Sequence, residues 1–464
     1  MLANEKAKPT NNFLSLLWRV LKEVNDDSDG CGQKFRVVVV SPLFEGKPML
    51  QCHKLVNAAL KDELQQIHAF SQKTFSPSQW EKAQGVGAQS AMCSAPGKVI
   101  LFGEHSVVYK KTAVAACVSK RTKVCLTAGK GNTILMDMPE VGLSQFEVEL
   151  PADEGQVKGS GKLANSLLAS LLEDPGVQNY GTVDKSDGTL MQRLDWWAGI
   201  IENNNKIKFS EQALSVLAYL HSFLTPRGKF CQGLDVRVTS DIRPGAGMGS
   251  SAAYAVALAG AFGKFHTANL DNAKIKELAW QAERLVHGKP SGLDTTVVCD
   301  GEIVRFPIVE NVNVPRPAWP LRILLVDSGV ARNTKRMVEI AAEKLKEIGT
   351  DILEEMDQIA VEAIRALTLS QDEGYKIIED LVEKNHKCLV QLGVSHPALD
   401  QICSTAARLG LKAKITGAGG GGNAFVLLPP NMTAEKVQEL QTAYQADNYQ
   451  SFEVTLFGPG ISFD

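Results

Sequence analysis

The stretch SDIRPGAGMGSSAAYAVALAGAF, residues 240–262, places glycines at 245, 247 and 249, then two serines, then a run of small apolar residues. Glycine has no Cβ to hold the backbone away from a ligand, and it admits positive φ. The apolar run from Ser250 reads as a helix. The first turn of such a helix has N–H groups without intrahelical partners, and the dipole adds about half a positive charge there. An anion suits such a loop, so the stretch reads as a phosphate cradle. A glycine-rich turn entering a buried helix fits the same residues. Two familiar motifs are excluded. A P-loop needs a lysine where Ser251 stands, and the dinucleotide fingerprint needs a third glycine where Ser250 stands.

Outward from this loop, LDVRVTS at 234–240 alternates apolar and polar residues as a half-buried strand does, giving strand, glycine loop, helix. Residues 273–286 put Ile275, Leu278, Ala279, Ala282 and Val286 on one helical face, and HGKPSG stops that helix. From Leu321 a strand precedes long helical patterns through 369, 376–392 and 396–409. KITGAGGGGNAFVLL then returns to strand, turn, strand, and SFEVTLFG supplies a last strand. VILFGEHSVVY and TKVCLTAG read as strand-rich. Helices on antiparallel-looking sheets give an α+β class.

The whole chain sets limits. At 464 residues, with 44% hydrophobic and 22% charged, it is long enough for about three domains. A net charge of −3 gives no general attraction to nucleic acid or an anionic membrane. Nine cysteines without a C-x-x-C pair argue for a reducing compartment, and a cytoplasmic location is expected. The first 24 residues read as an amphipathic helix rather than a signal peptide. A composition break at 83–92, AQGVGAQSAM, divides the chain. Before it, KFRVVVVSPLF reads as a strand, LVNAALKDELQQI as a helix and HAFSQKTF as a strand. The expected organisation is a small module over 1–86, a linker at 87–91, and two larger domains over 92–315 and 316–464.

Several residues carry chemistry together. SAPGKVILFGEH supplies Lys98, Glu104 and His105. The glycine loop supplies Ser250 and Ser251, AERLVHGKPSGLD supplies Glu283 and Asp294, and KITGAGGGG supplies a second close-approach turn. Taken singly, each reads as a turn former, a cap or a surface charge. Together they meet the needs of phosphoryl transfer: a cradle, oxygen ligands for Mg²⁺, a carboxylate for the nucleophile and a cation beside it.

These segments, in this order, resemble the GHMP kinase superfamily, and within it the mevalonate kinase branch, over about 92–464. ARNTKRMV and LGVSHPALDQIC add to the likeness. The resemblance implies a two-domain GHMP kinase fold and ATP-dependent phosphorylation of the primary alcohol of mevalonate, with ATP as co-substrate and Mg²⁺ as cofactor. It implies that Lys98 and Asp294 are the catalytic pair and that Ser251 and Glu283 hold Mg²⁺. It implies that Ser240, Gly245, Ala246, Gly247, Met248, Gly249, Ser250 and Ser251, with Lys98, receive the nucleotide. Glu104, His105, Thr334, Gly417 and Ala418 then fall in the substrate region, and a homodimer is expected. Val107 stands where a galactokinase carries an acidic residue for sugar hydroxyls. Glu140 stands where the branch uses an amide near the base, so no adenine contact is assigned. Another small-molecule kinase of the superfamily, or an iron–sulfur trafficking adaptor fused to an inactive kinase, are the alternatives.

Residues 25–82 resemble the BolA family. That likeness implies a small BolA/KH-like α/β module that shares a [2Fe–2S] cluster with a monothiol glutaredoxin, through His68 and a loop thiol at Cys31. A KH-type RNA contact needs a G-x-x-G loop, which EGKP is not.

Overall fold

The valine run at 37–40 becomes the middle strand of a small sheet in the computed structural model. The structure describes residues 21–26, 34–61, 64, 67, 69–76, 90–157, 189–202, 210–244, 247–267, 270–287, 290–307, 314, 317–331 and 333–463. It divides into two units, Met1–Gln89 and Ser90–Asp464.

In the first unit, β1 (Leu21–Asp26) pairs antiparallel with β2 (Lys34–Val40). A parallel neighbour cannot be reached by a tight turn, and α1 (Met49–Ala59) supplies the crossover to β3 (Ala69–Phe75). Val37 and Val39 pack against Phe44, Cys52 and Val56 to form the core of this unit. Two expectations change here. The helix begins at Met49 rather than Leu55, directly after Pro48, whose φ of −62° suits a helix start. From Leu21 the chain is a strand rather than the end of an amphipathic helix, because the edge of β2 offers partners for every second backbone group. The rest of that expected helix, residues 1–20, lies outside the described residues.

The second unit begins with β4 (Ser90–Phe102), β5 (Ala113–Ala128), β6 (Thr133–Met138) and β7 (Leu143–Glu149). Two helices follow, α2 (Thr189–Glu202) and α3 (Glu211–Leu224). Then come β8 (Leu234–Ser240), α4 (Ser250–Phe265), α5 (Asn272–His287), α6 (Leu293–Asp300) and β9 (Ile303–Phe306). The remainder comprises β10 (Arg322–Asp327), α7 (Thr334–Ile348), α8 (Asp351–Ala366), α9 (Gln371–Gln391) and α10 (Pro397–Arg408). It closes with β11 (Ala413–Ile415), β12 (Asn423–Leu427), α11 (Ala434–Ala446), β13 (Gln450–Thr455) and β14 (Ser462–Phe463).

Seven strands form one sheet in the order β14-β4-β5-β8-β6-β7, with β9 also pairing β5. Its described pairings are antiparallel apart from β6 with β8. The second sheet, β11-β12-β10-β13, is antiparallel throughout its described pairings. Residues Ala252 to Gly263 of α4 are all buried, which explains the small side chains there. The helix lies on β4 and β5 with α5 against it. A Cβ on Gly260 would fall 2.7 Å from the Cys93 sulfur, so only glycine permits that approach. Residues 106–109, expected in a strand, form a short 3-10 turn, because His105 at φ +62° reverses the chain after β4. β14 joins the outer edge of β4, Ser462 opposite Ser94. Arg121 holds the approach to it, donating to Pro459 O at 3.0 Å and Gly460 O at 2.7 Å. Among the described residues, no helix is long and apolar enough to cross a membrane.

Candidate active site

β8 delivers the chain to the glycine loop, and the loop is fastened to a different strand. The Lys98 N–H donates to Met248 O at 2.8 Å. Gly97 makes room for this, since a Cβ there would lie 2.9 Å from the same oxygen. Gly247 (φ +79°) and Gly249 (φ +68°) turn the loop into α4, with Gly249 as the N-cap. A Cβ on Gly249 would sit 3.0 Å from Lys98 Cγ and 3.7 Å from Asp294 Oδ2. The loop therefore runs over the Lys98 side chain. Gly245 and Ala246 lie outside the described residues.

Lys98 Nζ stands 3.0 Å from Asp294 Oδ1, the lysine 7% exposed and the aspartate 39%. Asp294 occupies the first turn of α6, after Gly292 at φ +82°, where the dipole favours a carboxylate. Beside this pair, the Ser251 hydroxyl donates to Glu283 Oε1, joining the first turn of α4 to α5. Burial pushes the Glu283 carboxyl up to about 7; the Asp294 charge adds to this, while the Ser251 hydrogen bond and Lys98 oppose it. A hydroxyl and a buried carboxyl side by side form an oxygen-only donor set, and such a set fits Mg²⁺.

A cleft of about 310 Å³ opens here, lined by Gly247, Gly249, Ser250, Ser251, Glu283 and Asp294 and by apolar side chains including Val141, Val216 and Ile242. Ser240 also lines it, bonded through Oγ to Thr122 Oγ1 at 2.8 Å and to Ile242 O at 3.1 Å. The Ser240 N–H donates to Glu140 Oε1 at 3.2 Å, which holds Glu140 at the cleft wall.

The remaining expected residues lie elsewhere. Glu104 and His105 meet the second glycine-rich turn: Lys414 pairs with Glu104, and His105 Nε2 is 2.8 Å from Ala418 O. Burial lowers the His105 pKa, the bond to Ala418 opposing it, and because a carbonyl only accepts, Nε2 is the donor to that oxygen. Gly417 is buried at φ +79° beside Ala418. None of Glu104, His105, Gly417 and Ala418 lines the cleft. Thr334 is exposed in the first turn of α7. His68 and Cys31 lie outside the described residues. Sequence reasoning missed Thr122 and Gln212, which line the cleft from segments without a motif. It also missed Lys414, whose signal was a charge within an otherwise apolar strand.

The fold and the cleft define a small-molecule kinase: residues 211–302 match the GHMP kinases N terminal domain and 360–444 the GHMP kinases C terminal domain. Residues 20–79 match BolA-like protein. The mevalonate kinase of Homo sapiens is 32% identical over 396 residues, covering 80% of this chain and 94% of that protein. The Bos taurus mevalonate kinase is 31% identical over 401 residues, covering 80% and 94%. In fold, the crystal structure of the Methanococcus jannaschii mevalonate kinase superposes with a TM-score of 0.59 at 22% identity, covering 79% of this chain and 98% of that one. The chain belongs to the mevalonate kinase family and carries a BolA-like domain before its kinase portion.

Proposed function

We propose that this protein transfers the γ-phosphoryl group of ATP to the primary hydroxyl of mevalonate, releasing ADP and 5-phosphomevalonate for isoprenoid synthesis. The observation that carries the reading is the Lys98–Asp294 ion pair beside the Ser251–Glu283 pair at one cleft, in a chain of this family. The described loop residues 247–249 and the N-terminus of α4 offer backbone N–H groups to the phosphates. Asp294 accepts the hydroxyl proton as the new O–P bond forms and the bond to ADP breaks. Lys98 orients that carboxylate and offsets charge on the attacking oxygen. The transition state is loose, so much of the acceleration comes from this positioning. Ser251 and Glu283 would hold Mg²⁺, which when bound would supply positive charge to offset that of the ATP phosphates.

The test is ADP release with mevalonate, galactose and homoserine in turn. Mevalonate-dependent turnover is expected. Turnover with another of these alcohols and none with mevalonate would overturn the substrate assignment.

The BolA-like domain supports a separate role. We propose that it shares a [2Fe–2S] cluster with a monothiol glutaredoxin, His68 and Cys31 acting as ligands, on the strength of the match over 20–79. An imidazole in place of a thiolate leaves the cluster less negative and raises its potential. Anaerobic reconstitution of the full chain with glutaredoxin, followed by visible circular dichroism, tests this. An unchanged spectrum in His68→Ala would end the proposal.

A further inference from the structure

Lys414 is fully buried in β11. An ammonium taken out of water is tolerated only when paired and hydrogen-bonded. Its Nζ meets Glu104 Oε1 and donates to Ile415 O at 2.8 Å. It also lies 5.1 Å from the Phe425 ring centroid and 5.8 Å from that of Phe102. Glu104 is only 2% exposed, and its second oxygen, Oε2, is buried with no hydrogen-bond partner among the described residues. Among the described residues, the pair is one of three side-chain links between the second glycine-rich turn, with the strand that leads into it, and the end of β4. Thr416 Oγ1 donates to Ile100 O at 2.8 Å, and His105 Nε2 donates to Ala418 O at 2.8 Å. β4 is also the strand that presents Lys98.

Charges alternate through this region: Lys414, Glu104, Lys98, Asp294. Burial is the largest influence on the Glu104 carboxyl and holds it above the ordinary carboxylate range, with Lys414, and more weakly Lys98, opposing the rise. Burial pushes the Lys414 ammonium down, and Glu104 opposes this. His386 from α9 and Cys403 from α10 also feel the Lys414 charge.

We propose that Lys414, which does not line the cleft, is a positioning residue for phosphoryl transfer. Its ammonium pairs with Glu104 and favours the ionised form of that carboxyl, and so holds both the end of β4 and the Lys98 side chain in their working arrangement. The proposal rests on the kinase reading given above. Lys414→Met keeps the length of the side chain and removes the charge. Glu104 is then a buried carboxyl that has lost the ammonium paired with it, and it takes up a proton as the pH falls towards neutral. Activity in this variant therefore rises with pH through the Glu104 titration.

The experiment measures kcat and kcat/KM against pH for the full chain, for Lys414→Met and for Glu104→Gln/Lys414→Met, with circular dichroism confirming that each is folded. Lys414→Met should lose about tenfold in kcat with the ATP KM within about twofold. Its acid limb should move up by about one pH unit. The double variant should keep the low kcat and return the limb to its original position. A folded Lys414→Met with an unshifted limb would overturn the proposal, whatever its kcat. If that variant does not fold, the double variant decides: a lowered kcat with the original limb supports the proposal, and a wild-type kcat overturns it. Absence of mevalonate turnover in the unaltered chain would be a failure of the substrate reading instead. The same comparison would then be run with whichever alcohol gives ADP release.

Discussion

Asp294 and Glu283 are both carboxylates at one cleft, and their surroundings give them different tasks. Asp294 is 39% exposed and paired with Lys98, open to a substrate hydroxyl. Asp294→Asn keeps the shape and loses the proton acceptor, so kcat should fall about 100-fold or more with KM little changed in steady-state assays. Glu283 is buried, and its pKa rises from 4.5 to about 7. A carboxyl whose folded pKa is raised contributes stability below its unfolded pKa and loses it as pH rises through the folded one. In EDTA, the melting temperature of the protein should therefore fall relative to that of Glu283→Gln as pH rises from about 4.5 to 7. Thermal melts across that range would show the two curves diverging, and a constant difference would count against the raised pKa. Lys98, Ser251, Glu283 and Asp294 were legible as neighbours at one cleft because their motifs, ambiguous singly, together meet the needs of phosphoryl transfer. Lys414 was not. A lysine in an apolar strand acquires a meaning only when its partner is known, and Glu104 lies more than 300 positions away.

The unit of strand, glycine loop and helix was legible because its signals are local. β8 alternates, the glycines interrupt, and the small apolar run of α4 can only be buried. Where pairing partners decide, the sequence was silent or misleading. β1 is a strand because β2 has an open edge, and β6 and β7 were not read at all. The buried helices α2 and α3 also went unread. The loop itself offers a controlled comparison. Gly249 (φ +68°) and Gly131 (φ +64°) have the same left-handed backbone, but a Cβ on Gly131 meets nothing within 4 Å, while one on Gly249 meets Lys98. Alanine in the left-handed region costs about 1–2 kcal/mol at either position. Both variants should melt earlier. Only Gly249→Ala should also lose activity, by about tenfold in kcat, because it displaces Lys98, the side chain proposed to orient Asp294. Equal kcat values in the two variants would mean that the loop tolerates the extra atom.

At the scale of the molecule, each unit has its own core: the first is built on Val37, Val39, Cys52 and Val56, and the second on the large cluster spanning both of its sheets. All four residues proposed for catalysis and metal binding belong to the second unit. Residues 90–464 expressed alone should therefore keep kcat within about twofold of the full chain, since no group of the reacting set is removed. Steady-state assays of the two proteins side by side would check this, and a large loss would show that the BolA-like domain contributes to the kinase. The two units also differ in when their sheets can be finished. The three-stranded sheet is complete once residue 75 has been added. The strand that carries Lys98 is synthesised early, yet its outer edge is closed only by Ser462 and Phe463, with Arg121 gripping the approach at Pro459 and Gly460. On the ribosome, then, the first unit can fold while the rest is still being translated, whereas the kinase sheet must wait for nearly four hundred further residues. Throughout that interval the backbone edge of β4 stands open, a template for mispairing between nascent chains on the same polysome.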